Sequence, residues 1–324
     1  LENKVVSSMK MIPIVIVDYN TVERTEKYID DAEKNIFPLK KTYIVVETGM
    51  DNELCRFEKM YYKLGEIKNI DYRIKFIKKY RTEKENAIYF IGLKENYGFA
   101  IANNIGACFA KKVLKEKMDI LLFSNSDICF IEPIDLTYYS KLFVDNDSVA
   151  VIGPRVIGID GKEQSPYRYI GLIKRWMLHF CIWPLDSVLH FLFTSSDKIR
   201  VDNTAAVYRV IGAFMLIRSE YFFEVNMFDE NTFLYCEENI LSERFMSKGY
   251  ITLYDPTFVI IHEEGNATKQ IYNNDKRSAQ QLKSELYYYR KYKRYNKSLI
   301  KLTEQMSYMY FWKRKMLFRL LRKE

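Results

Sequence analysis

Between residues 11 and 130 the chain alternates short apolar runs with helix-spaced segments, and no other feature limits its fold as much. The runs "IPIVIVDYN" (12–20), "TYIVVET" (42–48), "AIYFIGL" (87–93) and "MDILLFSNSD" (118–127) are strand-like. Between them "TVERTEKYIDDAEKN" (21–35), "NELCRFEKMYYKLGEI" (52–67) and "AIANNIGACFAKKVLKE" (100–116) carry helical spacing. Strand, helix, strand order implies parallel pairing with crossover helices, which is an α/β sheet. Ligands of such sheets sit beyond the carboxyl ends of the strands. Asp18, Glu47 and Asp127 all fall at such ends. The triplet Asn125, Ser126 and Asp127 is either a turn, since these side chains bond their own backbone, or a polar site. Past residue 150 the pattern is mixed: strand "VAVIGPRVIG" (149–158), a long apolar stretch, strand "AVYRVIGAFMLIR" (206–218) and helix "EENILSERFMSKG" (237–249).

Composition narrows the class. With 324 residues, 48% apolar and 15% aromatic, the chain has the material for a large core. Five cysteines, at 55, 108, 129, 181 and 236, have no paired short spacing, which argues against a zinc ribbon or a disulfide framework and for a reducing cytoplasm. No signal peptide is expected. "WMLHFCIWPL" (176–185) is far shorter than the roughly 20 residues a membrane span needs. Residues 283–324 hold thirteen Lys or Arg against three Glu, a net of +10 within a total of +8, so the body is nearly neutral. A local anion contact fits this distribution and a nucleic-acid-binding surface does not.

Seven segments occur in order: "VIVDYN" (15–20), "ENYGFAIANNIG" (95–106), "LLFSNSDI" (121–128), "GPRVIGIDGKEQSP" (153–166), "IGAFMLIR" (211–218), "MFDENTFLYCEENILSERFMSKGY" (227–250) and "IIHEEGNAT" (260–268). Together they resemble the family 2 glycosyltransferases of the GT-A fold, in particular the bacterial rhamnosyltransferase-like branch, over roughly residues 11–295. The resemblance implies a GT-A domain over 1–282, with a nucleotide-binding half at about 11–130 and an acceptor-side half at about 131–282, followed by a basic helical tail at 283–324. It implies an inverting transferase that moves a sugar from a nucleoside-diphosphate sugar to a hydroxyl of a growing cell-surface glycan, lipid-linked in this reading. No Q-x-x-R-W signature is present, so one sugar per encounter is expected. The alternatives are a nucleotidyltransferase-type or non-catalytic nucleotide-sugar-binding protein. The former usually carries a Gly-rich basic loop after the first strand, and "VDYNTVERTEKYI" has no glycine.

Departure of a diphosphate is eased by a hard divalent cation held by oxygen ligands. The family's D-x-D-type motif matches Asn125 and Asp127, so only Asp127 brings full charge, and Asn125 is left to contact the donor or cap the turn. His262, after a β-branched run, matches a second ligand for Mg2+ or Mn2+; it is otherwise a structural histidine, as His179 and His190 are read to be. The family pattern Glu-Asp matches Glu237 and Glu238, with Glu238 as general base toward the acceptor hydroxyl. Both are equally compatible with a helix first turn, where the macrodipole favours acids. Asn96, Gly98 and Asn103 match the segment that lines the nucleotide, with Gly98 permitting close approach. Tyr19, Asn20 and Glu47 flank the nucleotide from the first two strand ends; Glu47 and Thr48 stand where Asp-Asn is usual.

Two segments keep open readings. Tyr167 to Phe193, rich in aromatic and aliphatic residues, is either core or an acceptor lip. Tyr288, Tyr292, Tyr295, Leu299, Leu302, Met306 and Met309 recur at spacings of four and three, placing them on one helix face. That stripe packs on the body or a second subunit, or its distal part with Phe311 and Trp312 lies on an anionic cytoplasmic membrane face.

Overall fold

The computed structural model describes residues 11–38, 40–49, 54–114, 118–169, 171–172, 198–263 and 274–321. Most of the aromatic stretch 167–193, with His179 and His190, lies outside the described residues.

The first strand, β1 (Met11–Asp18), shows how this sequence builds its core. Ile12, Ile14 and Ile16 face one apolar cluster and Val15 the other. The neighbouring strand β3 (Lys40–Glu47) divides in the same way, with Tyr43 and Val45 on one side and Ile44 and Val46 on the other. A continuous apolar run is therefore a strand buried on both faces, as parallel sheets covered by helices require. Each fully buried aliphatic side chain contributes roughly 1.5–3 kcal/mol. Helix α1 (Val22–Asn35) covers the first face and α3 (Phe99–Val113) the second.

The remaining elements follow in order. A two-residue β2 (Ile36–Phe37) follows α1. After β3 come α2 (Leu54–Met60), β4 (Tyr62–Ile67), β5 (Ile74–Arg81), β6 (Ala87–Leu93), then α3, β7 (Ile120–Asn125), β8 (Ile128–Phe130) and β9 (Ile134–Asp135). Next are α4 (Leu136–Asp145), β10 (Val149–Gly158), β11 (Ala205–Val207), β12 (Phe214–Arg218), α5 (Ser219–Glu224), α6 (Glu237–Met246), β13 (Ile251–His262), α7 (Asn274–Lys291) and α8 (Lys297–Leu321). An 11-stranded mixed sheet runs β11-β13-β10-β12-β7-β1-β3-β6-β5-β4, with β8 added beside β13. Its centre, β7-β1-β3-β6, is parallel as the sequence order implies. The expected α/β architecture is present.

Three elements differ from the sequence reading. Of 52–67, expected to be one helix, only Leu54–Met60 is helical, and Tyr62–Ile67 forms an edge strand. Because β4 is largely exposed on both faces it lacks the apolar alternation that marks a strand. Its antiparallel partner β5 was not anticipated, since a register shift between Ile74 and Phe76 interrupts its alternation. The run 206–218 is two strands: β11 pairs with β13 and β12 with β7, and residues 208–213 cross between them.

The tail differs too. Helix α7 runs through the 282/283 boundary and packs Leu282, Leu286, Tyr288 and Tyr289 against Ile240 of α6 and Ile300 of α8. The seven-residue stripe is broken between the two helices, where Asn296 caps α8 by accepting from the Leu299 amide at 2.7 Å. Tyr288 is buried at 3% exposure, whereas Leu302 and Met309 stand 43% and 67% exposed, so the stripe is no single face.

Candidate functional site

A cleft of about 470 Å³ opens at the carboxyl ends of the central strands. Tyr19, Asn96, Gly98, Asn125, Asp127, Glu237, Glu238 and His262 all line it. Asn20, Glu47 and Asn103 do not.

The first wall comes from β1, β3, β7 and the turn before α3. Asp18, 1% exposed, accepts hydrogen bonds from the Thr21 amide at 2.9 Å and from the Thr21 and Thr25 hydroxyls at 2.5 Å each. Burial raises its pKa and these three bonds oppose that rise. Glu47 is turned into the loops, accepting from the Gly49 amide at 2.5 Å and the Asn20 amide at 3.3 Å, which ties the ends of β1 and β3 together. Asn103 donates to the Phe99 carbonyl one helical turn back, at 3.0 Å, and is 2% exposed, so its side chain serves the helix. Asn96 accepts from the Gly98 amide at 3.0 Å, forming an Asx turn. Gly98 itself has φ +91, and a Cβ there would meet the Phe233 carbonyl oxygen at 2.3 Å. Its close approach is therefore to the loop that precedes α6. The Phe99 amide donates to the same carbonyl at 2.9 Å, so this first amide of α3 is already engaged rather than facing the cleft.

Asp127 and His262 meet because β13 pairs antiparallel with β8, aligning His262 with Ile128. Nε2 of His262 lies 3.2 Å from Asp127 Oδ1. The other ring nitrogen, Nδ1, donates to Gln164 Oε1 at 2.6 Å, while Asn125 Nδ2 points at Nε2 from 3.4 Å. Oδ1 of Asp127 is buried. Burial pushes the Asp127 pKa up, and the neighbouring imidazole more than offsets it, so the carboxyl stays below its ordinary value. A carboxylate oxygen and an imidazole nitrogen thus face one another across 3.2 Å, a donor pair of the kind that holds a divalent cation, with Gln164 fixing the ring from behind. Asp127 and His262 fit a cation, although among the described residues no cluster of three or more His, Cys, Asp or Glu is grouped for one.

Glu237 and Glu238 open α6 after a strained approach: Tyr235 and Cys236 both have positive φ, 73 and 70. Such backbone costs of order 1–3 kcal/mol per residue and is retained where the surroundings enforce it. Here it turns both carboxylates toward the cleft. Glu237 is 3% exposed and its Oε1 has no partner. Burial first, and the charge of Glu238 second, push its pKa up to about 8, which favours the protonated form. Glu238 is only half-buried, and its Oε1 accepts from the Gly212 amide at 2.9 Å. A Cβ on Gly212 would sit 2.5 Å from that oxygen, so the approach requires glycine. The next residue, Ala213, accepts at its carbonyl from the Asn125 amide at 2.9 Å, which links the Glu238 support to the turn carrying Asp127.

Several participants were not singled out from the sequence. Gln164 lies inside the quoted "GKEQSP" motif and had no assigned role, while Arg209, Gly212 and the α7 residues Arg277 and Tyr289 reach the cleft only through tertiary folding. Asp229 is another, 2% exposed at the base of the loop leading to α6. Its Oδ2 accepts from Tyr292 at 2.5 Å, Tyr287 at 2.8 Å and Lys291 at 3.0 Å, and lies 3.2 Å from Arg244. Burial would raise its pKa, but the bonds from Tyr292, Asn231 and Tyr287 hold the carboxyl well below the usual range. Through Asp229 the end of α7 is clamped to the loop that presents Glu237 and Glu238.

Comparison with known proteins assigns the class. No protein-family model matches the chain. A mannosyltransferase from Pyrobaculum calidifontis, PcManGT, whose structure holds GDP-Man and Mn2+, superposes with a TM-score of 0.53 at 11% identity, over 92% of this chain and 73% of that one. GalNAc-T7, in a structure with UDP, GalNAc and Mn2+, gives 0.50 at 13% identity, over 79% of this chain and 44% of that one. The fold is the GT-A glycosyltransferase fold. By sequence, the rhamnosyltransferase WbbL of Escherichia coli strain K12 is 30% identical over 169 residues, which is 51% of this chain and 61% of that relative. The family 2-like glycosyltransferase resemblance carried by the motifs is supported by this relative, of which the match spans less than two thirds.

Proposed function

We propose that this protein is an inverting glycosyltransferase that takes one sugar from a nucleoside-diphosphate sugar and attaches it to a hydroxyl of a glycan acceptor. The observation that carries the reading is the single cleft in which a cation-competent pair, Asp127 and His262, shares space with Glu237 and Glu238. Mg2+ or Mn2+ held there would neutralise charge developing on the leaving diphosphate. Tyr19, Asn96 and Asn125 border the donor side of the same space.

The two glutamates divide the work by environment. Glu237 is buried, and burial together with the Glu238 charge favours its protonated form, which makes it the poorer base of the two. Glu238 reaches solvent, has one oxygen anchored by the Gly212 amide, and is suited to remove the acceptor proton as the hydroxyl attacks the anomeric carbon. One base on one face, with the diphosphate leaving from the other, gives inversion. Incubation with UDP-, GDP- and dTDP-sugars and Mn2+, measuring free nucleoside diphosphate, tests the reading: no release from any donor, with or without acceptor glycans, would refute it.

The tail supplies a second element of the proposal. No helix among the described residues is long and apolar enough to cross a membrane. Tyr308, Met309 and Trp312 stand 55%, 67% and 65% exposed on α8 within the basic segment. Docking of this segment on an anionic membrane would bring the cleft to a lipid-linked acceptor. Salt-sensitive sedimentation with anionic vesicles, lost on truncation after Tyr308, is the expected result; vesicle-independent self-association would assign the face to a second copy instead.

A further inference from the structure

Of the guanidinium groups that line the cleft and that the mechanism above leaves unused, two are braced against tyrosines, Arg209 on Tyr167 and Arg277 on Tyr235. Arg209 lies on the crossing between β11 and β12, three residues before Gly212, whose amide holds Glu238. Its guanidinium is stacked 3.6 Å above the Tyr167 ring. Arg277 extends from α7, and its Nε donates to the Tyr235 hydroxyl at 3.3 Å, just before Glu237. Both line the cleft, and neither has a carboxylate within ion-pair distance among the described residues. Arg24 and Arg168 also line the cleft, while behind its wall Arg244 and Lys291 are neutralised by Asp229.

A guanidinium lying flat on an aromatic ring spends its face on the ring and keeps its N–H fork along the edge, the geometry that grips phosphate oxygens. Bracing by Tyr167 and Tyr235 also removes much of the flexibility that binding would otherwise have to freeze. Arg209 sits on the segment whose Gly212 amide holds Glu238, and Arg277 rests against Tyr235 in the approach to Glu237 and Glu238. We propose that Arg209 and Arg277 form an anion subsite that reads a phosphate or diphosphate attached to the acceptor sugar. This rests on the glycosyltransferase reading for the word acceptor, but the anion site itself does not. The same chemistry could serve the donor diphosphate, and binding experiments separate the two sources.

Titration calorimetry on the full chain, its R209Q and R277Q variants and the R209Q/R277Q double variant uses three probes: inorganic pyrophosphate and a short prenyl diphosphate, both with EDTA present, and UDP or GDP with Mn2+. The expected result is that both diphosphates bind the wild-type chain without divalent metal, and that each single variant weakens them by tenfold or more. Nucleotide binding with Mn2+ should change by less than about threefold, which also shows that the variants are folded. Failure of pyrophosphate or prenyl diphosphate to bind the wild type, or retention of binding in the double variant, would overturn the subsite. A parallel loss of UDP or GDP binding would assign the arginines to the donor and overturn it equally. If neither nucleotide binds the wild-type chain while the prenyl diphosphate does so through both arginines, the subsite stands and the transferase reading falls.

Discussion

The two walls of the cleft that the proposed reaction assigns to donor and acceptor are built in opposite ways. The donor side uses adjacent parallel strands, whose ends necessarily lie in one row, so Asp18, Glu47 and the Asn125–Asp127 turn are brought together by sheet register alone. The other wall is stitched across long sequence separations: Gly212 to Glu238, and Asp229 to Tyr287, Lys291 and Tyr292, with Gln164 to His262 stitching the cation pair between the two walls. Its carboxylates are consequently sensitive to single partners. The donor wall depends on the core and should tolerate loss of individual polar contacts better.

The sharpest break between the walls is expected at Glu238. Glu238→Gln keeps size and removes basicity, so transfer should fall by about 10²- to 10⁴-fold while nucleotide binding persists; single-turnover transfer against calorimetric nucleotide affinity measures both. An unchanged rate would remove Glu238 as base. Next in size is Asp229→Asn, which leaves Arg244 and Lys291 without their counter-charge. Loss on the order of 3 kcal/mol in urea denaturation is expected, with a lowered transfer rate because the α6 approach is loosened. An equivalent polar change on the donor wall, Asn96→Ser, should cost less than half as much, and equal losses would erase the contrast.

Smaller again is Gln164→Leu. It removes the group that fixes His262 and should raise the Mn2+ concentration needed for half-maximal activity about 10- to 100-fold, as outer-shell changes do. No change in metal dependence would detach His262 from the cation. The smallest effect concerns Glu237. Its folded pKa of about 8 exceeds the ordinary glutamate value of 4.5, so the folded state holds its proton more tightly. Its stability contribution is full below pH 4.5 and is lost as pH rises through 8, at about 1.4 kcal/mol per unit. Glu237→Gln should flatten that slope in pH-dependent melting and reduce transfer no more than about tenfold. A loss equal to that of Glu238→Gln would move the base by one position.

The sequence by itself determined the parallel centre of the sheet, the strand ends that border the cleft, and the helix opened by Glu237 and Glu238. These are legible because a buried strand and a helix first turn leave local patterns of spacing and composition. Edge strand β4 and its neighbour β5 escaped because exposure on both faces, or a bulge, erases the period-2 signal. The sequence also brought Asp127, His262 and Glu238 forward as candidates by motif order, without fixing which groups face one another. Only the tertiary structure decided that Asn103 serves its own helix, that Glu47 ties two loops, and that α7 belongs to the cleft wall. It alone separated the buried Glu237 from the solvent-reaching Glu238. Burial and the direction of a hydrogen bond depend on chain segments as distant as Phe99 and Phe233, and adjacent identical side chains carry no local mark of which one the fold will cover.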